Sequence, residues 1–324
     1  MFKFFITVLV PIVAAFIISV VAGKFLIPVL TKLKVGNTER EELESHQVKN
    51  GTPSMGGLMF LIAIVVVSAF YIKDYPLVLP IAVTTLLFGV IGFIDDYLKT
   101  IKRDSDGLLA WQKFLLQMVV ATALCMYIIF KGDISLQLLI PFAGTYVDIG
   151  WLSVPLFYLA VLGTVNGVNF TDGVDGLASS VTIVVAAFFT CAAAALGGGE
   201  VAPVACAVIG ALMGFLVYNV YPAKIFMGDT GSLALGGFVA ATAYVLQMPL
   251  FIIIVGFIYL GEVLSVIIQV LYFKATHGKR IFPMTPIHHS FELKGWSEAK
   301  VVCVFTIVTV ILCVIGYTGV LGAV

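Results

Sequence analysis

The side chains that could carry chemistry fall in a few short strings. GFIDDYLK closes an apolar run with two adjacent carboxylates, Asp95 and Asp96, and then Lys99. Paired acids at a membrane boundary are costly unless they are solvated, paired or bound to a cation. Lys99 follows at the i+3/i+4 spacing, where an ammonium can pair with a carboxylate or hold a phosphate. Taken alone, this string is explained equally well as a solvated helix end. NGVNFTDGVDGLA, residues 166–178, sets Asn166 three residues from Asn169 and Asp172 three from Asp175. If helical, each pair shares a face. Gly173 and Gly176 would let a backbone or a phosphate approach closely. A plain loop has no need of two Asn and two Asp straight after an apolar run.

A third string, NVYPAKIFMGDTGS, spans residues 219–232 and places Asp229 between Gly228 and Gly231. The helix that starts there offers free N–H groups to an anion, and Asp229 taken alone reads first as its N-cap. In PMTPIHHSFE, residues 283–292, two of the four histidines are adjacent, with Glu292 close by. Neutral imidazole can ligate a metal and imidazolium can contact phosphate. The spacing is not HExxH and no cysteine is near, which argues against zinc. KNGTPSMGG, residues 49–57, puts Lys49, Thr52 and Ser54 in one turn suited to phosphate or sugar. It lacks the GxxxxGK[ST] order of a P-loop, and a simple turn explains it as well. Carboxylate oxygens with lysines are what Mg²⁺ and a diphosphate require. Phosphoryl transfer depends chiefly on positioning and charge neutralisation.

These strings need elements to hold them, and the composition says which kind. Of 324 residues, 61% are hydrophobic and 11% charged, and the mean hydropathy is +1.12. Soluble domains carry roughly 25% charged residues. A soluble enzyme, a nucleic-acid binder and a disordered chain are therefore excluded in favour of a polytopic membrane protein. Ten apolar segments can be read, near 4–30, 56–72, 77–94, 112–130, 152–168, 177–196, 202–218, 232–247, 250–273 and 300–321. The first is too long for a cleavable signal and long enough to span. The expected architecture is all-α, one membrane-embedded domain over 1–324. A small hairpin around Gly144 or an irregular loop fits Ile134–Gly150. The five cysteines, Cys125, Cys191, Cys206, Cys303 and Cys313, lie in apolar stretches and read as buried small hydrophobes.

Alternate loops place 14 of the 18 Lys and Arg residues on one side. The positive-inside rule makes that side cytoplasmic and both termini extracytoplasmic. Thirteen of the 18 acids fall on the same side, which that rule does not require. All the strings above face that side. Glu262 lies within the ninth segment with Gln269 seven residues on, on roughly the same face. A carboxylate in a span is presumptively functional, although helix packing explains Glu262 as well.

DDYLK, NxxNFTDGxDGLA, NxxPAKxFMGDTGS and PIHHSFE together resemble the polyprenyl-phosphate N-acetylhexosamine-1-phosphate transferase superfamily, and within it the branch serving peptidoglycan synthesis. The motifs run in order from Lys49 to Glu292, so the resemblance covers nearly the whole chain. It implies a phosphoglycosyl transferase of the bacterial plasma membrane with its site facing the cytoplasm. The implied reaction is Mg²⁺-dependent transfer of phospho-MurNAc-pentapeptide from UDP-MurNAc-pentapeptide to undecaprenyl phosphate, giving lipid I and UMP. The partners are then those two substrates and membrane lipid, with a homodimer left open and no nucleic acid. By position, Asp95 and Asp96 become the acidic pair, and Asp95 the acceptor of a proton from the lipid phosphate. Asp229 becomes the Mg²⁺ ligand, with Asp95, Asp96 or Asp172 as further candidates, or in a rival scheme the attacking group. Asn166, Asn169, Asp172, Asp175, Asn219, Phe226, Gly228 and Gln269 would line the nucleotide pocket, with Phe226 stacking on uracil. Lys49, Lys99 and Lys113 would neutralise phosphates. His288 and His289 would stand at the mouth of the cleft.

Two departures stand out. The superfamily's histidine triplet reads His288-His289-Ser290 here, and Ser54 stands where Thr is frequent. Two other readings remain at this point. One is a sibling using UDP-GlcNAc, which would usually carry a different histidine segment. The other is a transporter, which should place its ionisable residues at mid-membrane rather than at one face.

Overall fold

The computed structural model describes residues 4–33, 51–100, 102, 107–131, 135–197 and 199–323. Helix α1 begins with a π-helical stretch, Phe5–Leu9, and continues over Val10–Lys32. Then come α2 (Gly57–Ala69), α3 (Val78–Thr100), α4 (Ala110–Lys131), α5 (Ser153–Thr171) and α6 (Leu177–Ala195). The chain continues with α7 (Ala202–Asn219), α8 (Gly228–Val245), α9 (Phe257–Ala275), α10 (Ile287–Leu293) and α11 (Glu298–Leu321). Between α4 and α5 a two-residue antiparallel hairpin pairs β1 (Leu138–Leu139) with β2 (Tyr146–Val147). The weak alternation around Gly144 thus forms the hairpin rather than an irregular loop.

Among the described residues, eight helices are long and apolar enough to cross a bilayer: α1, α3, α4, α5, α6, α7, α9 and α11. The protein is an all-α polytopic membrane protein. Two of the ten expected segments, near 56–72 and 232–247, are not among these eight. Helix α2 has 13 residues, short of the roughly 17–25 that a span requires. Helix α8 has 18 residues, and every one from Thr230 to Val245 is buried. A helix surrounded by protein meets no lipid, so it can carry Gly, Ser and Thr where a lipid-facing helix needs Leu and Val. Its low hydropathy reflects its central place. The expected ninth span is also interrupted: one helical turn, Ile252–Val255, stops at Gly256 before α9 begins.

Helix α8 packs against α3, α5 and α2. At Gly92 of α3, a Cβ would stand 2.0 Å from the carbonyl oxygen of Asp229. The two backbones touch there, and this brings the end of α3 to the start of α8. Large aromatic side chains fill the surrounding core, among them Phe88, Phe157, Phe238, Tyr244 and Tyr259. Of the cysteines, Cys125, Cys206 and Cys313 are buried, but Cys191 and Cys303 are exposed. The outward faces of membrane helices are themselves apolar, so apolar neighbours in sequence do not imply burial.

Candidate active site

Asp95, near the end of α3, is 1% exposed and turns towards α4 and α8. Lys99 Nζ donates to Asp95 Oδ2 at 2.6 Å and lies 3.4 Å from Asp229 Oδ2. Lys113, in the first turn of α4, donates to Asp229 Oδ2 at 2.6 Å and lies 3.7 Å from Asp95 Oδ2. Two acids and two ammoniums from three helices therefore converge on one point. The other oxygen of Asp95 accepts the Leu108 backbone N–H at 2.8 Å. That carboxylate could not stay buried without these donors.

Asp96 points elsewhere, as it must, since successive helical residues diverge by about 100°. Asp96 Oδ1 accepts the Asp229 N–H at 3.0 Å. Asp96 Oδ2 accepts the Thr230 N–H at 2.9 Å and its hydroxyl at 2.6 Å. It thus caps the N-terminus of α8 from another helix, satisfying amides that begin a helix unpaired. Gly228 has φ +71°, and a Cβ there would stand 2.5 Å from Asp96 Oδ2. Only glycine fits that place.

Asn169, at the end of α5, donates through Nδ2 to Asp229 Oδ1 at 2.7 Å and to Ser232 Oγ at 2.8 Å. It fixes the rotamer of Asp229. Asp172 lies in the α5–α6 turn, and its carboxylate has no hydrogen-bond partner among the described residues. Burial, with Asp229, Asp96 and Asp175 nearby, raises its carboxyl well above the usual carboxylate range. Asp175 is buried and accepts the Ala223 N–H through Oδ2 at 2.9 Å. Asn219 is also buried; its Oδ1 accepts the Gly176 N–H at 3.0 Å and its Nδ2 donates to the Ile225 carbonyl at 2.9 Å. These two tie the turn to the segment before α8. Glu298 braces it from α11, 3.4 Å from the Asp175 amide.

That segment is also paired with the chain before α2. The Phe226 N–H donates to the Pro53 carbonyl, and the Gly56 and Gly57 amides donate to the Phe226 and Met227 carbonyls, all at 2.8 Å. Ser54 is buried beside Gly228, and Thr52 and Phe226 are half-buried. Lys49 lies outside the described residues.

Both histidines of the PIHHSFE segment are buried. His288 is fully buried, with Nδ1 3.1 Å from Glu262 Oε2. A Cβ on Gly173 would stand 2.2 Å from His288 Nε2. His288 therefore lies beneath the Asp172–Asp175 turn. His289 Nδ1 is 2.7 Å from Glu292 Oε2. Gln269 is buried, and its Oε1 accepts the Ile281 and Phe282 amides, both at 3.0 Å. Asn166 binds Gln117 across α4 and α5 at 2.9 Å and sits outside the acid cluster.

The structure thus brings together Asp95, Lys99, Lys113, Asn169 and Asp229. Asp96, Asp175, Asn219 and His288 lie behind them. The sequence did not single out Leu108, Gln117, Ser232 or Glu298. Gln117 lies one turn from Lys113, the one signal that could have found it. Among the described residues, no three His, Cys, Asp or Glu side chains form a ready metal cage. Mg²⁺ does not need one: it usually takes one or two carboxylates and completes its shell with water and phosphate oxygens. The carboxylate of Asp172, unpartnered among the described residues and amid other acids, suits such an ion.

Residues 78–247 match the model of glycosyl transferase family 4. Residues 49–61 match phospho-N-acetylmuramoyl-pentapeptide-transferase signature 1. The phospho-N-acetylmuramoyl-pentapeptide-transferase of Acetivibrio thermocellus is 48% identical over 309 residues, covering 94% of this chain and 93% of the relative. The protein of that name from Clostridium botulinum is 49% identical over 315 residues, covering 96% of each. That from Caldicellulosiruptor bescii is 43% identical over 305 residues, covering 94% of each.

Proposed function

The chain belongs to the phospho-N-acetylmuramoyl-pentapeptide-transferase family, and we propose that its acid–lysine cluster is the reaction centre. It is a phosphoglycosyl transferase. Its donor is UDP-MurNAc-pentapeptide, its acceptor undecaprenyl phosphate, and its products lipid I and UMP. The observation that carries this reading is the meeting of Lys99 and Lys113 with Asp95 and Asp229. The site faces the cytoplasm of a bacterial plasma membrane, the side with most Lys and Arg.

Without substrate, each ammonium is held by the two acids. An incoming diphosphate offers better-placed negative charge, and Lys99 and Lys113 turn towards it. A bound Mg²⁺, held by Asp229 and Asp172, would neutralise the diphosphate and stabilise charge on the transferred phosphorus. An acceptor phosphate oxygen forms the new bond to the phosphorus next to the sugar. The diphosphate bond breaks, and UMP leaves with its electron pair. Asp95 takes the acceptor's proton on Oδ2, which releases Lys99. Asn169 holds Asp229 in place, and Asp96 holds the start of α8. His288 acts through Gly173 on the Asp172 turn, as a positioning residue. Glu262 is paired with His288 at the end of this assembly, which favours an enzyme over a transporter with a mid-membrane relay.

The test is UMP release by detergent-purified protein with undecaprenyl phosphate and Mg²⁺. Release with UDP-MurNAc-pentapeptide and not with UDP-GlcNAc is expected. Release from UDP-GlcNAc alone would move the protein to a sibling reaction.

A further inference from the structure

A cavity of about 250 Å³ opens between the end of α9 and the segment leading into α10. Its walls include Gln269, Phe273, Lys274, Arg280, Phe282 and Met284. Gln269 is 8% exposed, and its Oε1 is fixed by two backbone amides. Its Nε2 is buried with no hydrogen-bond partner. A buried donor left unpaired is costly, so this amide lacks an acceptor. Among the described residues, neither Lys274 nor Arg280 has a carboxylate within ion-pair distance. Among the described residues, Arg280 donates only to the Pro283 carbonyl, at 3.3 Å.

Two unpaired cations and an unpaired amide N–H around one cavity call for an acceptor-only anion. Phe273 and Phe282 add apolar walls. The volume is below the roughly 300–1,000 Å³ of sites that enclose a drug-sized ligand. The cavity therefore suits the end of a ligand held mainly elsewhere. Thr285 also lines it, three residues before His288. Three residues span at most about 11 Å, and His288 touches Gly173 beside Asp172. A five-residue peptide reaches up to about 18 Å when extended. A peptide carried by a sugar at the acid cluster can reach the cavity.

We propose that this cavity binds the C-terminal carboxylate of the donor's pentapeptide, with Lys274 and Arg280 as specificity-determining residues. The proposal rests on the donor assigned under Proposed function. It makes the loop between α9 and α10 a reader of the peptide end, remote from the phosphoryl chemistry.

The experiment compares UDP-MurNAc-pentapeptide with the same donor carrying a C-terminal carboxamide. Charge-assisted hydrogen bonds of about 1.5–3 kcal/mol predict at least a tenfold kcat/KM preference of the unmodified protein for the free carboxylate. The preference should lie in KM, with kcat retained. The double variant Lys274→Ala/Arg280→Ala should lose it and treat both donors alike at an unchanged kcat. Equal use of the two donors by the unmodified protein would overturn the proposal, whatever the variant's stability. So would a variant that keeps the preference. A rise in KM for undecaprenyl phosphate alone would overturn it too, by assigning the cavity to the lipid phosphate. If neither donor yields UMP with the unmodified protein, the assigned reaction fails instead.

Discussion

Asp96 Oδ2 receives both the backbone N–H and the hydroxyl of Thr230, at 2.9 and 2.6 Å, while Asp96 Oδ1 receives the amide of Asp229. The second acid of the Asp95–Asp96 pair is therefore spent on backbone. It sets where α8 begins and so where Asp229 stands. A cap of this kind contributes about 0.5–2 kcal/mol, and stranding the buried amides adds about 1–3 kcal/mol. Asp96→Ala should lower the detergent-solubilised Tm and reduce kcat at least tenfold. Asp96→Asn, which keeps one acceptor oxygen, should recover part of both. Full activity with an unchanged Tm in Asp96→Ala would remove the capping role.

Gly92 supports the same junction sterically. A Cβ there meets the Asp229 carbonyl oxygen at 2.0 Å, and backbone cannot give way as a side-chain tip can. Gly92→Ala should cost about 1–3 kcal/mol by overpacking and lower kcat by displacing Asp229. Gly261→Ala is the control, since a Cβ at Gly261 meets nothing within 4 Å. Thermal unfolding and UMP release on the two variants read this directly.

Lys113 makes the closer contact with Asp229, 2.6 Å against 3.4 Å for Lys99. Lys113→Met should leave the carboxylates less well neutralised and raise the donor KM at least tenfold. Lys99→Met should act mainly on kcat, because Lys99 is the 2.6 Å partner of Asp95, the residue proposed to accept the proton. Steady-state kinetics on each variant separate the two effects.

Asn166 and Gln117 form a bond between helices, and we expect it to act in packing. Such pairs within membranes average about 0.6 kcal/mol in double-mutant cycles. A cycle with Asn166→Leu and Gln117→Leu should give coupling of that size. A large loss of kcat with no change in stability would return Asn166 to the substrate pocket.

Much of this was legible in the sequence because charge is scarce in it. Against an apolar background, DDYLK, the NxxN/DxxD string and GDTGS stand out, and Asp95, Lys99, Asn169 and Asp229 from them do meet at one point. What the sequence could not supply was the division of labour within each string. Adjacent Asp95 and Asp96 must face different ways, but only the packing of α3 on α8 decides which faces the lysines. Asp172 and Asp175 share a spacing, yet among the described residues one has no hydrogen-bond partner and the other is tied to Ala223. His288 stands out in the sequence by its type, but its burial 3.1 Å from Glu262, 26 residues earlier, does not. Helix α8 is less apolar than the eight long helices for a related reason, since a helix enclosed by protein need not be very apolar.

The most direct test of the central claim is turnover by Asp229→Asn at saturating donor, acceptor and Mg²⁺. A Tm within a few degrees of the unmodified protein would show that the cap and fold remain. The acid–lysine centre predicts at least a thousandfold loss of UMP release in that folded variant. Turnover within tenfold of the unmodified protein would contradict it and place the chemistry elsewhere.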